Sequence, residues 1–298
     1  MNNKYFKYLF LVVIWTFTGL TYSQVTGNEP IMQTKVYKTI GLTKLKLHIY
    51  QPSERNDMEK LPAIIFFHGG GLRERHTWEF EPQSKYLVKE GGIVAVIATY
   101  RVKRNGITIF ESIADAKSAI RWIREHADKL GIDEKRFAAG GGSSGGYLAA
   151  CAALIKDYDE KNEDLNISSI PNALVLFNPR LVLPVAGDPP LSKKETRYLN
   201  GRNVEEISPF HNIYKGAPPT IIFQGTADKG VSIQEPQQFC EKMKNYGNTC
   251  EVVLYEGREH GFFHYFHGNN PDYLSTMEQT VKFLTSIGYI NGETTIKK

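Results

Sequence analysis

With 298 residues, 41% of them hydrophobic, the chain can bury a large core, and 16 Phe, 16 Tyr and 3 Trp exclude a disordered or collagen-like polypeptide. Its net charge of +4, from 36 Lys and Arg against 32 Asp and Glu, falls to +2 without Lys4 and Lys7, too even a balance to draw nucleic acid or an anionic membrane. A chain of this length fits one α/β core without a second domain.

Residues 1–23 carry two lysines, an apolar run from Leu9 to Leu20, and then Thr21-Tyr22-Ser23, with small residues where a signal peptidase cuts. They predict a secretory signal peptide, leaving 24–298 as a single domain. A transmembrane anchor needs about 20 apolar residues; this run is shorter and is broken by Thr16, Thr18 and Gly19. No cysteine lies near the cleavage point to carry a lipid. The expected mature protein is soluble, secreted or periplasmic, without a membrane anchor and in an oxidising compartment.

The segment KLKLHIY (44–50) alternates, which predicts one or two antiparallel edge strands. AIIFF (63–67), GIVAVIAT (92–99), RFAAG (136–140), ALVLF (173–177), TIIFQG (220–225) and CEVVLY (250–255) are short, β-rich and mostly non-alternating. Such strands are expected to be buried on both faces of a largely parallel sheet. Helical patterns separate them at 82–90, 109–129, 145–156, 232–246 and 271–286. This alternation implies an α/β doubly wound fold. The polar, Pro-rich stretch 180–211 is expected to cross the sheet's carboxyl edge, where open α/β sheets bind ligands.

Cys151 lies in the Ala-rich helical pattern YLAACAALIK and is expected in the core. Cys240 and Cys250 flank a helix end and a strand start, close enough to be joined. A disulfide there would add up to about 3 kcal/mol by loop entropy.

The densest chemical signal is RFAAGGGSSGGYLAA, a strand running through glycines and two serines into a helix. That is the setting of a nucleophile elbow, G-x-S-x-G, in which the serine sits on a turn too tight for bulky neighbours. Two frames fit, centred on Ser143 or on Ser144, and spacing does not choose between them. Gly140, Gly142 and Gly145 also spell G-x-G-x-x-G. The acidic strand end that a dinucleotide fingerprint wants about 20 residues later is replaced by the charged stretch KDYDEKNED.

His68-Gly69-Gly70-Gly71 follows the strand AIIFF. Its bare backbone can aim N–H groups at a developing oxyanion, while His68 is expected to hold the loop. A serine hydroxyl needs a histidine to take its proton and a carboxylate to orient that histidine. Asp228 follows the strand TIIFQG and His260 follows CEVVLY, in the expected order nucleophile, acid, histidine. His260, His264 and His267 stand at i, i+4 and i+7, a metal-ligating spacing on a helix, but GFF (261–263) is more aromatic than helical and no carboxylate completes a set. No metal or cofactor is expected.

Taken together, FFHGGG (66–71), YR (100–101), DAKSAIRWIREHA (115–127), GGGSSGGYLA (140–149), LFNP (176–179), SPF (208–210), PPTIIFQGTAD (218–228) and YEGREHGFF (255–263) resemble the α/β-hydrolase family of secreted bacterial carboxylesterases, similar to hormone-sensitive-lipase-like and acetyl-xylan or feruloyl-type esterases. The resemblance implies an α/β-hydrolase fold. Matched to the family's G-x-S-A-G-G elbow, it selects Ser143 as nucleophile, with Asp228 and His260 as partners and an oxyanion hole of Gly70, Gly71 and Ser144. It further implies a short acyl ester, in particular an acetylated carbohydrate, as substrate. Leu72 stands where Trp often follows HGGG, and Tyr147 where His is frequent. Leu72, Trp78, Tyr147 and Arg180 are expected to wall the substrate pocket. Competing readings are a peptidase of the prolyl-oligopeptidase type, though nothing in this sequence suggests the propeller domain such enzymes usually carry, and a hydrolase-fold binding protein without catalysis.

Overall fold

The computed structural model describes residues 29–55, 59–104, 106–183, 191–266 and 271–290. The predicted signal peptide (1–23) and His267 lie outside the described residues. In chain order the elements are β1 (Ile31–Ile40), β2 (Thr43–Gln51), β3 (Leu61–Phe67), α1 (Glu81–Gly91), β4 (Val94–Ala98), α2 (Ile109–Glu125), α3 (Ala127–Leu130), β5 (Ile132–Gly142), α4 (Ser144–Leu154), β6 (Ala173–Phe177), α5 (Lys193–Leu199), β7 (Thr220–Gly225), α6 (Gln234–Asn245), β8 (Cys250–Tyr255) and α7 (Pro271–Ser286).

The eight strands form one sheet in the order β1-β2-β4-β3-β5-β6-β7-β8. β1 and β2 form an antiparallel hairpin and β2 pairs antiparallel with β4, as the alternating first segment predicted. Every later pairing is parallel. In the central strands successive side chains feed two different cores. Ile65 and Phe67 pack with residues of α2 and α4 on one face, whereas Ile64 and Phe66 pack with residues of α1 and α7 on the other. Both faces of a parallel sheet are covered by its own crossover helices, so the central strands are continuously apolar.

Local chemistry sets the helix ends. Thr108 and Glu111 close a capping box at the start of α2, and left-handed Gly92 (φ 62°) ends α1 and turns the chain into β4. The single helix expected over 109–129 breaks at His126, and the short α3 ends on left-handed Gly131. Arg101 grips Asp115 of α2 through Nε and Nη2, both at 2.7 Å, with Lys38 Nζ at 2.9 Å from the same carboxylate. The YR and DAK motifs are therefore scaffold, tying the exit of β4 to α2.

Two further expectations need correction. β8 is not buried on both faces: it pairs only with β7, and Glu251 and Leu254 are exposed. The stretch 180–211 contains a helix, α5, which periodicity did not reveal. A capping box, with Ser192 Oγ accepting from Glu195 N and Glu195 Oε2 from Ser192 N, initiates it in place of a broad apolar stripe. Leu181, Leu199 and Ile207 anchor this stretch in the core. Cys240 and Cys250 form a disulfide joining α6 to β8, and Cys151 is buried and free, its thiol pKa pushed up by burial.

Candidate active site

Parallel strands end on one edge of the sheet, so the loops that follow them share that edge. β3 and β5 are neighbours, with Phe67 beside Gly141 in register, which brings the glycine loop 69–71 next to the serines. β7 and β8 are also neighbours and deliver Asp228 and His260.

Ser143 links β5 to α4 with φ 51° and ψ −116°, a strained conformation for a non-glycine residue. The glycines around it show why the turn tolerates no larger residues. A Cβ on Gly145 would stand 2.0 Å from the Phe67 carbonyl oxygen, and one on Gly141 would stand 2.4 Å from the same atom. These are the flanking glycines of the frame centred on Ser143, but those of the frame centred on Ser144 are confined too, a Cβ on Gly142 standing 2.6 Å from the Phe263 ring and one on Gly146 2.9 Å from the Gly141 carbonyl oxygen. What separates the two serines is that Ser143 lines the cavity and Ser144 does not. Ser144, the first residue of α4, is buried, and its Oγ accepts from Leu72 N at 3.2 Å. That hydroxyl holds the far end of the glycine loop.

His260 Nδ1 donates to Asp228 Oδ2 at 2.7 Å, and the Asp228 side chain is fully buried. The same oxygen accepts from Gln224 Nε2 at 3.0 Å, while Oδ1 accepts from Gly230 N at 2.7 Å and Val231 N at 2.9 Å. Burial raises the carboxyl's pKa, but the His260 contact and the two backbone donors outweigh it and leave the group below its ordinary value. Ser143 and His260 line one cavity of about 700 Å³ together with Gly70 and Gly71. Among the described residues no hydrogen bond joins Ser143 Oγ to His260, a contact that in unliganded hydrolases tightens with substrate.

His68 is buried beneath the loop, where Nδ1 donates to Gly69 O at 2.7 Å and the ring stacks on Tyr100 at 4.3 Å. Burial lowers its pKa. It holds backbone, as expected. Residues 260–266 form turns and no helix, so His260 and His264 face different carboxylates, Asp228 and Glu79.

Of the four expected pocket walls, Trp78 alone lines the cavity. Leu72 points into the core beside the α2 and α4 side chains, 5% exposed, because its left-handed backbone (φ 59°) turns it inward. Tyr147 projects from the buried side of α4 and donates its hydroxyl to Ile207 O at 2.9 Å. Arg180 lies behind Asp228, with Nη2 donating to Gly230 O at 2.7 Å and Nη1 3.8 Å from Glu235.

Asn178 and Glu79 are among the lining residues that escaped the sequence. Asn178, buried with φ 36°, accepts at Oδ1 from Gly261 N at 3.0 Å and so braces the histidine loop. Glu79 accepts from Gly69 N and from His264 Nε2. Asn178 sits inside the motif LFNP, which was its only signal; nothing near Glu79 in sequence marks it.

An eight-stranded, mostly parallel sheet carrying a serine elbow, a glycine loop and an Asp–His pair on one edge defines an α/β-hydrolase. Residues 47–243 match the BD-FAE family, and the chain belongs to it; it is a carboxylic ester hydrolase. The chain is similar to esterase 2 of Thermogutta terrifontis, whose apo form is 42% identical at a TM-score of 0.81, covering 88% of this chain and 97% of that one. The same esterase is known with propionate bound and phosphonylated by sarin. Among curated proteins it is similar to Carboxylesterase NlhH of Mycobacterium tuberculosis, 23% identical over 245 residues, covering 76% of this chain and 73% of that protein. It is also similar to an acetylxylan esterase of Xylanibacter ruminicola, 25% identical over 211 residues, covering 67% of this chain and 41% of that longer protein.

Proposed function

We propose that this enzyme hydrolyses short acyl esters through an acyl-enzyme on Ser143, with His260 as general base and acid and Asp228 as its orienting partner. The observation that carries the reading is the strained Ser143 turn facing the same cavity as a histidine whose Nδ1 is held by a buried carboxylate. Ser143 Oγ attacks the ester carbonyl carbon while His260 Nε2 takes the hydroxyl proton. Asp228 accepts from Nδ1–H, which leaves the Nε2 lone pair facing the serine. The backbone N–H groups of Gly70, Gly71 and Ser144 receive the oxyanion, Ser144 from the positive end of α4. The C–O bond to the leaving alcohol breaks as His260 returns the proton to it. Water then attacks the acyl-enzyme by the same path, releasing the carboxylic acid and restoring Ser143.

The short acyl chain is supported by the propionate-bound relative and by the similarity to an acetylxylan esterase. An acylated carbohydrate fits the open cavity rim, where Trp78 and Phe266 are 48% and 87% exposed and offer flat faces on which a sugar ring can stack. Action outside the cytoplasm, after removal of residues 1–23, is part of the same proposal; the Cys240–Cys250 disulfide suits an oxidising compartment.

The test is hydrolysis of p-nitrophenyl acetate, butyrate and octanoate and of acetylated xylan by the wild type, Ser143→Ala and Ser144→Ala. Acetate or butyrate is preferred to octanoate and acetate is released from xylan. Ser143→Ala loses turnover by a factor on the order of 10⁴ or more, whereas Ser144→Ala retains it at a reduced rate. Equal loss in both variants, or full activity in Ser143→Ala, refutes the nucleophile; absence of acetate release from xylan refutes the carbohydrate substrate.

A further inference from the structure

The proposed site is assembled from two halves that the sheet holds apart. The glycine loop follows β3 and the histidine loop follows β8, with β5, β6 and β7 between them. At about 4.8 Å per strand that separation is roughly 19 Å. The loops must bend back over the sheet edge to meet, and the oxyanion donors act only if they are fixed relative to Ser143 and His260 before reaction begins.

One side chain bonds to both loops. Glu79 lies on the segment between β3 and α1, its side chain 9% exposed. One carboxylate oxygen, Oε2, accepts from Gly69 N at the start of the glycine loop. The other, Oε1, accepts at 2.7 Å from Nε2 of His264, four residues beyond His260 on the histidine loop. A carboxylate only accepts, so His264 presents Nε2–H to it. The carboxylate also abuts the elbow: a Cβ on Gly142, the residue before Ser143, would stand 3.1 Å from Oε1. At its other end the glycine loop is fixed by Ser144 Oγ through Leu72 N, and turn bonds from Arg73 N and Glu74 N to Gly70 O fix its shape. Glu79 thus anchors the one end of the loop that Ser144 does not reach. The backbone amide it engages directly precedes the two proposed oxyanion donors.

We propose that Glu79 is a positioning residue that ties the glycine loop to the histidine loop and so sets the height of the Gly70 and Gly71 amides over Ser143. The inference rests on the roles proposed for Ser143, His260 and the glycine loop. Glu79 forms no bond to substrate in this scheme; it acts through Gly69 N–H and His264.

The test measures kcat and KM separately, with p-nitrophenyl butyrate, for Glu79→Ala, Glu79→Gln and His264→Phe, with thermal melts and amide hydrogen exchange over residues 69–72. Glu79→Ala lowers kcat about 100-fold, the loss that follows from ångström-scale misplacement of a catalytic group. KM stays within about threefold, because the cavity walls remain and uniform binding is unchanged. Exchange at residues 69–72 accelerates in this variant. Glu79→Gln, whose amide oxygen can still receive Gly69 N–H, recovers at least tenfold of the lost kcat, and His264→Phe falls between the wild type and Glu79→Ala. The proposal is overturned if Glu79→Ala keeps kcat within threefold, if its loss lies in KM, or if Glu79→Gln is as impaired as Glu79→Ala while melting like the wild type. Ser143→Ala, run alongside, separates this from the nucleophile assignment: turnover retained there refutes the serine whatever the Glu79 variants do.

Discussion

Replacing Asp228 by Asn exchanges one carboxylate oxygen for an NH₂ group and reverses a proton. In the wild type both carboxylate oxygens face donors only: Oδ2 receives His260 Nδ1 and Gln224 Nε2, and Oδ1 receives the amides of Gly230 and Val231. An asparagine has one oxygen for these four donors. If it serves the two backbone amides, its NH₂ faces His260 and forces the imidazole to accept at Nδ1 and carry its proton on Nε2, the wrong tautomer to deprotonate Ser143. The opposite orientation sets NH₂ against two backbone N–H groups, at about 1–3 kcal/mol for each buried donor left unpaired. The Gln224 side chain does not follow the first orientation by turning its amide, because its Nε2 also donates to Gly225 O at 3.3 Å and Val231 O at 3.2 Å; that orientation therefore leaves one donor, Nε2, against the new NH₂. The unproductive arrangement is therefore favoured by the net cost of one unpaired donor, about 1–3 kcal/mol, and the charge that stabilises the imidazolium is lost as well. With about 1.5–3 kcal/mol more for that charged hydrogen bond, at about 1.4 kcal/mol per decade, kcat should fall by about 10²–10⁴ with KM little changed. Stopped-time assays with p-nitrophenyl butyrate at constant pH, with circular dichroism to verify folding, measure this. A loss of less than about 30-fold in a folded variant would refute the tautomer reasoning.

The same carboxylate gives a stability signature. Its folded pKa lies below the ordinary 3.8, so its contribution is fully present above that value and disappears as pH falls through the lowered one. The melting-temperature gap between wild type and Asp228→Asn should narrow as pH falls below about 4; a gap that does not narrow there contradicts the shift. Gly145→Ala should yield little folded protein, since its Cβ would press 2.0 Å from the Phe67 carbonyl and 2.5 Å from that of His68, backbone atoms that cannot step aside; overpacking of this kind costs about 3 kcal/mol or more. A soluble Gly145→Ala with unchanged melting would show that the elbow is looser than its geometry. Cys240→Ala with Cys250→Ala should lose up to about 3 kcal/mol in chemical denaturation while kcat is retained, because the bond joins α6 to β8 away from the cavity; a lost kcat with stability intact would reverse that assignment.

Much of this protein was legible along the chain. ALVLF, TIIFQG and CEVVLY became β6, β7 and β8 at the predicted boundaries, because a short apolar run flanked by turn residues has few other ways to bury itself. Asp228 and His260 were readable because parallel strands place whatever follows them on one edge. Side-chain direction was not readable. Leu72 and Tyr147 are apolar or aromatic neighbours of the site in sequence, yet a positive φ turns one into the core and the helical repeat turns the other away from the cavity. β8 looked like an interior strand because composition does not say which strand ends the sheet.

The sequence by itself determined the fold class, the alternation of strands and helices and the set of residues from which a serine hydrolase site can be made, since these follow from local periodicity and short motifs. Only the tertiary structure distinguished the surroundings of Ser143 and Ser144: Ser143 lines the cavity on a positive-φ turn, whereas Ser144 is buried with its Oγ accepting from Leu72 N. It alone brought Glu79 and His264, 185 residues apart, onto opposite sides of one hydrogen bond. Contacts of that kind depend on how strands are ordered in the sheet and how loops fold back over its edge, and no local pattern in the chain encodes either.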